Sequence, residues 1–374
     1  MTNVADLRPW LELRAIPGIG DAACCRLVAA FGSPGAVLKA GHRDLVSRGQ
    51  VSPFIASAVE RGPDAAAKNN VEEELSALDR LGISVLTVLD AEYPERLRTI
   101  PDPPPILYIT GALTAQDHHA VAIVGSRRAT AAGRVFTEQL SGALAALGFT
   151  IVSGLARGID AAAHRGAIAA DGRTVAVLGC GIDRTYPPEH RGLREQIESS
   201  GAVIAELPLG AYPHGYHFPR RNRIISGMCL GVVVTEAAPE SGSLITARLA
   251  ADQGREVFAV PGFVKAETSR GTNGLIKQGA RLVEDADDIV SEIFLQLEET
   301  FRNRLPPRTD VACPRPLDGN ETMLYGLLTW DGTHIDDLIE QSGIGAAELS
   351  GLLLSLELKG LLRQLPGQSY VRIR

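Results

Sequence analysis

A cluster of arginines preceded by aromatic residues has the clearest chemical meaning in this sequence. Residues 212–227 read YPHGYHFPRRNRIISG, and the polar block within them consists of Arg220, Arg221, Asn222 and Arg223. Guanidinium groups match phosphate oxygens, and aromatic rings stack on nucleobases. The segment therefore suits a chain of phosphates that carries bases, with Tyr212, His217 and Phe218 as the stacking candidates. The alternative is a solvated helix start whose arginines pair with carboxylates elsewhere.

Four turns rich in glycine, several of them with serine, each follow an apolar segment and could bind the same anion. Their candidate ligands, with the arginines beside them, are Gly125, Ser126, Arg127, Gly154, Arg157, Gly158, Gly242 and Ser243. A glycine turn that runs into a helix exposes backbone N–H groups where an anion is favoured. In any single turn the glycine could serve backbone geometry alone. Four such turns on one sheet edge, two of them with an arginine, favour anion binding.

No motif for a metal, a nucleophile or a nucleotide hydrolase accompanies these turns. The patterns GxGxxG, GxxxxGK[ST], GxSxG and CxxC are absent, so we expect no catalytic residue, no metal site and no cofactor. One enzymatic alternative stays open. Proteins that process nucleotides on similar folds use a glutamate as an acid, and Glu236, before the turn at 240–243, could act in this way on a nucleoside monophosphate. A pure protein scaffold is the third hypothesis.

Composition is that of an ordinary globular protein. The 374 residues include 37 Lys plus Arg against 44 Asp plus Glu, a net charge of −7, and 45% are apolar. An acidic total confines any DNA-binding surface to a local basic patch. There is no apolar run of membrane-spanning length, no secretion-signal pattern and no disulfide framework among the five scattered cysteines. We therefore expect a cytoplasmic protein without a membrane span.

Strands and helices alternate regularly in the middle of the chain and would position the turns. Six apolar segments between 121 and 262 are separated by helical segments rich in alanine and leucine: VAIVG, FTIVSG, TVAVLG, AVIAEL, GVVVTE and EVFAVPG. This alternation predicts an α/β fold, namely a Rossmann-like, mostly parallel sheet with helices on both faces. Ligands of such sheets bind beyond the carboxyl ends of the strands, where the turns lie.

Four parts can be separated along the chain. We predict a small helical domain at 1–65, the extended Rossmann-like domain at 66–300, a proline-rich linker at 301–319 and a winged-helix-like domain at 320–374. Residues 13–20 (LRAIPGIG) resemble a helix-hairpin-helix turn, which could be structural or contact a DNA phosphate. The last part is acidic, so contact with protein is at least as expected there as contact with DNA.

Six motifs in a fixed order make the chain resemble a known family. They read GSR (125–127), SGLARGID (153–160), GCGIDRTYP (179–187), FPRRNRIISG (218–227), EAAPESGSLITA (236–247) and VFAVPG (257–262). This series resembles the DNA-processing protein A family, also called DprA or Smf, and the resemblance is strong over 90–285. The two ends are similar, less specifically, to that family's sterile-alpha-motif-like N-terminal domain and winged-helix C-terminal domain.

The resemblance implies a non-enzymatic protein that binds single-stranded DNA, protects incoming strands during natural transformation and loads the RecA recombinase. It also implies a homodimer through the Rossmann-like domain, on a surface that overlaps the RecA contact; Leu275 and Ile276 are the candidates. The candidate ligands at 125–127, 154–158 and 220–223 match the family's phosphate-contacting motifs. Where many relatives carry a lysine and an asparagine after YP, this chain has Pro188 and His190, so Arg184 or Arg191 would supply that cation.

Overall fold

A computed structural model describes residues 4–305, 317–329, 332–359, 361–365 and 367–372. The four prolines on which the linker at 301–319 was predicted fall within 306–316, outside the described residues. Within the described ranges, no helix combines the length and the apolar character that crossing a membrane requires.

Six helices precede the central sheet. They are α1 Val4–Arg14, α2 Asp21–Phe31, α3 Pro34–Leu38, α4 His42–Ser47, α5 Pro53–Arg61 and α6 Ala65–Leu81. Local capping explains several boundaries: the side chains of Ser33, Ser52 and Asp64 accept from first-turn N–H groups, and Gly82 ends α6 in the left-handed conformation. Helix α6 packs against α1. The N-terminal group of packed helices therefore continues to Leu81, whereas the predicted domain boundary lies at residue 65.

A nine-stranded sheet forms the centre of the molecule, in the order β1-β2-β6-β5-β4-β3-β7-β8-β9. The strands are β1 Ser84–Thr87, β2 Ile106–Gly111, β3 Ala120–Val124, β4 Thr150–Ser153, β5 Thr174–Leu178, β6 Ala202–Ala205, β7 Gly231–Val234, β8 Glu256–Ala259 and β9 Arg281–Leu282. From β6 to β9 neighbouring strands are parallel, whereas β2 is antiparallel to β1 and to β6. The predicted mostly parallel sheet is confirmed.

Helices cover both faces of this sheet, which explains why its central strands are apolar throughout. The helices are α7 Glu95–Arg98, α8 Ala131–Ala146, α9 Ile159–Ala169, α10 Arg191–Ser200, α11 His217–Gly227, α12 Gly242–Asp252, α13 Glu267–Lys277, α14 Ala286–Ile293 and α15 Glu299–Arg302. Residues of α8, α9 and α14 pack into one apolar core with the sheet. Residues of α11 and α12 pack into a second core on the other face.

The direction of chain winding reverses at β3. After β3 the chain builds β4, β5 and β6 on one side of it, and then returns to place β7, β8 and β9 on the other side. The connections that follow β3 and β7 therefore leave these adjacent strands in opposite directions. In open α/β sheets this arrangement opens a crevice beyond the carboxyl ends of the two strands.

The C-terminal part has the predicted winged-helix order. Its elements are α16 Gly319–Leu327, β10 Thr333–His334, α17 Ile335–Ser342, α18 Ala346–Leu358, β11 Leu362–Leu365 and β12 Ser369–Arg372. The turn expected at Gly343 is the left-handed end of α17, and β11 and β12 form the expected hairpin. The short strand β10, which pairs with β12, was not predicted.

Candidate nucleic-acid interface

A groove of about 760 Å³ lies at the crevice beyond β3 and β7. We call it the strand-end groove. Its walls come from the loop after β3, the first half of α11 and the loop that leads from β7 into α12. The predicted ligands that line it are Gly125, Ser126, Arg127, Arg221, Asn222, Gly242 and Ser243, together with the aromatic Phe218. The predicted residues that do not line it are Gly154, Arg157, Gly158, Arg220, Arg223, Tyr212 and His217.

Arg127 is a cation of the groove that is available to a ligand. Its side chain is exposed, and no carboxylate oxygen of the described residues lies within 4.0 Å of its guanidinium. The guanidinium carbon lies 5.2 Å from the ring centre of Phe218, a cation–π distance. Arg128 also lines the groove, although it was not among the predicted ligands; its position directly after Arg127 in the same turn was the signal.

The turn that carries Arg127 is held by neighbouring loops. The N–H of Ser126 donates to the carbonyl of Glu236 at 2.7 Å, and the carbonyl of Ser126 accepts from the N–H of Ile159 at 3.2 Å. Gly158 has φ +75°, and a Cβ atom there would overlap the carbonyl oxygen of Ser126. Gly158 is therefore required for close approach of two backbones, which makes it a support for the groove rather than a ligand within it.

Arg221 lies beneath the groove and is 6% exposed. Its Nη1 donates to the carbonyl of Gly154 at 2.7 Å and, by a second short bond, to the carbonyl of Val177. The carboxylate of Asp160, also buried, accepts from the N–H groups of Gly154 and Ala156. Burial lowers the pKa of Arg221 to about 10, and burial raises the pKa of Asp160 against the opposing effect of Arg221. Arg221 thus ties together the ends of β4 and β5.

Arg220 and Arg223 face the N-terminal helices instead of the groove. Arg223 is buried and pairs with Asp21 at 3.1 Å, with Asp102 at 3.0 Å and with Glu206. Arg220 pairs with Asp21 and, at 3.3 Å, with Glu206. The phosphate contact predicted for Arg223 finds no support here, because its guanidinium is enclosed by three carboxylates. For these two side chains the alternative of pairing with carboxylates is the observed one.

This carboxylate cluster should make the stability of the protein depend on pH. Asp21, Asp102 and Glu206 share two arginines, and burial, together with the hydrogen bond to Asp21, raises the pKa of Glu206 from its ordinary value of 4.5 to about 7. The folded state then keeps a proton that the unfolded state releases, so this contribution to stability is lost as the pH rises from about 4.5 to about 7. Glu206→Gln should flatten that loss in urea unfolding at a series of pH values.

The matched control for this prediction is Glu195→Gln, because Glu195 is an exposed partner of Arg191 on α10. It should leave the pH dependence as in the wild type. If Glu206→Gln and the wild type lost stability equally between these pH values, a proton on Glu206 would be ruled out.

The remaining predicted residues lie along the rim beyond the groove. Arg157 is exposed and pairs with Glu189 at 2.5 Å. Tyr212 is 60% exposed, and the guanidinium carbon of Arg184 lies 3.9 Å from the centre of its ring. His217 begins α11, and its Nδ1 lies 3.0 Å from the carbonyl oxygen of Tyr212. A cation and an aromatic ring therefore lie together outside the groove. Arg184 is one of the two residues predicted from the sequence to supply the cation that follows YP.

Glu236, the candidate acid of the enzymatic alternative, does not line the groove. Its side chain is 9% exposed, and its two carboxylate oxygens accept from the N–H of Thr130 at 2.9 Å and from the hydroxyl of Thr130. These bonds fix the start of α8. Among the residues that the structure describes, no three His, Cys, Asp or Glu side chains are grouped so that they could hold a metal ion.

The candidates for a dimer surface lie on α13 and do not line the groove. Leu275 and Ile276 are each partly exposed. Leu275 also lines a second depression of about 600 Å³, between α12 and α13, with Leu244 and Ala247. This face is next to β9, which is one of the two edge strands of the sheet.

The turn at 13–20 has the role of a structural corner between α1 and α2. Ile16 and Ile19 are buried, Gly18 has φ +89°, and Gly20 precedes α2 without a side-chain cap. Asp21, at the start of α2, is the residue that pairs with Arg220 and Arg223. These contacts support the structural alternative for this turn.

Comparison with known proteins gives consistent matches along the chain. Residues 84–294 match the family model described as DNA recombination-mediator protein A, and residues 307–368 match the DprA winged helix domain. The protein Smf of Synechocystis sp. is 32% identical over 97% of this chain and 98% of its own length.

Solved structures that share the fold include two that are more than 25% identical to this chain. DNA processing protein A from Streptococcus pneumoniae superposes with a TM-score of 0.66 and 32% identity, over 78% of this chain and 98% of that one. The protein of the same name from Helicobacter pylori, reported with a single-stranded DNA binding mode, gives a TM-score of 0.52 and 28% identity, over 58% of this chain and 97% of that one. Nearly the whole of each relative is therefore represented in this chain.

Proposed function

The chain belongs to the DNA recombination-mediator protein A family, also called DprA or Smf, and from this premise we propose that it binds single-stranded DNA in the strand-end groove. The proposed activity is binding without catalysis. The groove would bind the backbone and bases of a single strand, and the protein would then load a recombinase on that strand. The observation that carries the proposal is Arg127, an exposed cation at the carboxyl edge of the sheet with no carboxylate partner among the described residues.

Phosphate binding is supported by what surrounds Arg127. Arg128 stands beside it, and the loop into α12 brings Ser241, Gly242 and Ser243 to the opposite wall. The first N–H groups of a helix such as α12 carry partial positive charge and have no acceptor within the helix. A phosphodiester in the groove would therefore meet guanidinium groups on one side and a helix start on the other.

Preference for a single strand is supported by Phe218. Its partly buried ring lines the groove, with its centre 5.2 Å from the guanidinium carbon of Arg127 and 5.6 Å from the ring centre of Tyr186. An aromatic ring can stack only on a base whose face is free, as it is in an unpaired strand. Outside the groove, Tyr212 and His217 would continue the same path, with Arg184 over Tyr212.

The relatives support the same ligand. The solved protein from Helicobacter pylori is described with a single-stranded DNA binding mode, and its sequence is 28% identical to this chain. By the same kinship we propose that the chain shields incoming single strands in natural transformation and loads RecA on them. We assign the homodimer contact to the face of α13 that carries Leu275 and Ile276.

Binding of a labelled oligonucleotide, followed by fluorescence anisotropy, tests the proposed ligand. The single strand should bind more tightly than the duplex of the same sequence, because only the single strand offers bases for stacking. Phe218→Ala should weaken single-strand binding about five- to hundredfold, the equivalent of about 1–3 kcal/mol for one lost stacking contact. Duplex binding should change far less.

The control is Phe54→Ala, since Phe54 is exposed on α5 among the N-terminal helices. Its affinity should equal that of the wild type. Equal affinity of the wild type for single strand and duplex would contradict the proposal. Unchanged single-strand affinity of Phe218→Ala would contradict it as well, and melting curves should show that both variants are folded. Light scattering of the same samples tests the homodimer, and RecA filament assembly on strands coated with single-strand-binding protein tests the loading step.

A further inference from the structure

A second cavity, lined by two arginines and three carboxylates, lies at the amino ends of the strands, opposite the strand-end groove. This cavity of about 270 Å³ opens beside the amino ends of β3, β7 and β8, between α7 and the turn at 115–119. Its polar lining includes Arg96, Thr99, His118, His119 and Arg255. None of these residues lines the strand-end groove.

The two arginines of this cavity have no counterion in the described part of the chain. Arg96 and Arg255 are each partly buried, yet no carboxylate oxygen of the described residues lies within 4.0 Å of either guanidinium. Burial lowers the pKa of Arg96, and burial followed by the charge of Arg96 lowers the pKa of Arg255. Two positive charges that repel each other in a half-buried site are a cost to the fold unless an anion joins them.

The hydrogen bonds of Arg255 leave one donor without an acceptor. Its Nη2 donates to the carbonyl of Arg96 at 2.7 Å and to that of Gly227 at 3.3 Å, which holds the side chain in place. Its Nε is buried and has no partner among the described residues. Buried donors are nearly always paired in folded proteins, so the unpaired Nε adds to the cost of holding Arg255 in this position.

The acidic residues around the cavity do not neutralise the pair. Asp117 lines the cavity, but its oxygens accept from Arg173 at 2.7 and 2.8 Å, and its charge is already matched. Glu95 and Glu298 are exposed, where water and salt screen their charge. His119 stacks on Phe301 with ring centres 4.0 Å apart, and burial lowers its pKa.

We propose that this cavity binds the phosphoryl group of a small phosphorylated molecule, with Arg96 and Arg255 as its cationic ligands. The planar guanidinium matches phosphate oxygens with paired donors, and the exposed ring of His118 lines the same cavity. Small-molecule sites usually have volumes of about 300 Å³ or more, slightly above the volume of this cavity. The cavity is therefore large enough for a phosphate or diphosphate group, and the rest of the phosphorylated molecule would lie outside it.

Thermal unfolding of the full-length protein with inorganic pyrophosphate tests this site. The wild type should melt at a higher temperature as pyrophosphate is added, and sodium sulfate at equal ionic strength should do less. Arg96→Gln should weaken pyrophosphate binding about tenfold or more in calorimetry, because one guanidinium contact is lost. Without pyrophosphate, Arg96→Gln should be at least as stable as the wild type, because one of two repelling charges is gone.

Arg80→Gln is the matched control, since Arg80 is an exposed arginine on α6. It should bind pyrophosphate as the wild type does. Binding that is equal in the wild type and in Arg96→Gln would overturn the site. Arg255→Gln provides a second measurement, and retained affinity in that folded variant would overturn it as well.

A further comparison separates the two sources of a terminal phosphate. The binding of an oligonucleotide with a 5′-phosphate is measured beside that of free pyrophosphate. If the oligonucleotide bound in an Arg96-dependent way and pyrophosphate did not bind, the ligand would be the end of a DNA strand and not a small molecule. In the proposed case Arg96→Gln leaves single-strand affinity unchanged, so failure of this site and failure of the DNA-binding proposal give different results.

Discussion

Arg127→Ala should weaken binding of single-stranded DNA of any sequence about tenfold or more, with little change in thermal stability. Arg127 is exposed, pairs with no carboxylate of the described residues and lies over Phe218 in the strand-end groove. A hydrogen bond from a charged group contributes about 1.5–3 kcal/mol, which is about ten- to hundredfold in affinity. Loss of one phosphate contact should also reduce the slope of log affinity against log salt by about 0.7.

Anisotropy titrations at several salt concentrations measure both quantities. Arg165→Ala is the matched control, because Arg165 is exposed on α9 and does not line the groove. It should reproduce the affinity and the slope of the wild type. If Arg127→Ala kept both the affinity and the slope of the wild type, the groove would not be the site at which the DNA backbone binds.

Arg221→Met should mainly lower the stability of the protein, whereas Arg127→Ala should mainly lower its affinity for DNA. The variant Arg221→Met removes the donor that serves the carbonyls of Gly154 and Val177, and it removes the positive charge that favours the ionised form of the buried Asp160 carboxylate. A buried polar group left without its partner costs about 1–3 kcal/mol, and two carbonyls lose their donor here. Urea unfolding followed by circular dichroism should therefore show a much lower midpoint.

Two further variants show whether this loss arises from the buried charge. Adding Asp160→Asn to Arg221→Met should restore part of the stability, because the uncompensated carboxylate is then gone. Arg157→Met removes an arginine of the neighbouring turn whose partner, Glu189, is exposed, and it should leave the midpoint in place. An unchanged midpoint in Arg221→Met would show that Arg221 does not hold the two strand ends together.

The predicted edge of the sheet could be derived from the sequence because parallel strands end on the same side. Apolar runs that end in glycine, such as VAIVG before Ser126, fixed both the strand and the place where it stops. The same reasoning could not tell which turns meet, since that depends on strand order. The loops after β3 and β7 meet in the groove because these strands are adjacent, whereas Arg157 and Gly158, in the turn after β4, do not line it although Ala156 and Asp160 do.

The roles of the four residues at 220–223 could not be separated from sequence alone. Successive residues of a helix point in different directions, and what each one meets depends on distant segments. Asp21 lies about two hundred residues before Arg223, and no local pattern links them. Arg96 and Arg255, at the amino ends of the strands, are likewise distant in sequence, and only the folded chain brings the side chain of Arg255 to the carbonyl of Arg96.

One of the carboxylates that enclose Arg220 and Arg223 belongs to the N-terminal helices, and it partly neutralises these arginines. Asp21, at the start of α2, and Asp102, ahead of β2, act as covalently attached counterions for the helix that supplies Phe218 to the groove. A shortened chain without the first two helices would expose cationic surface next to the proposed DNA path. Asp21 on α2 is therefore expected to affect how selectively, and not only how tightly, the proposed DNA-binding surface would bind polyanions.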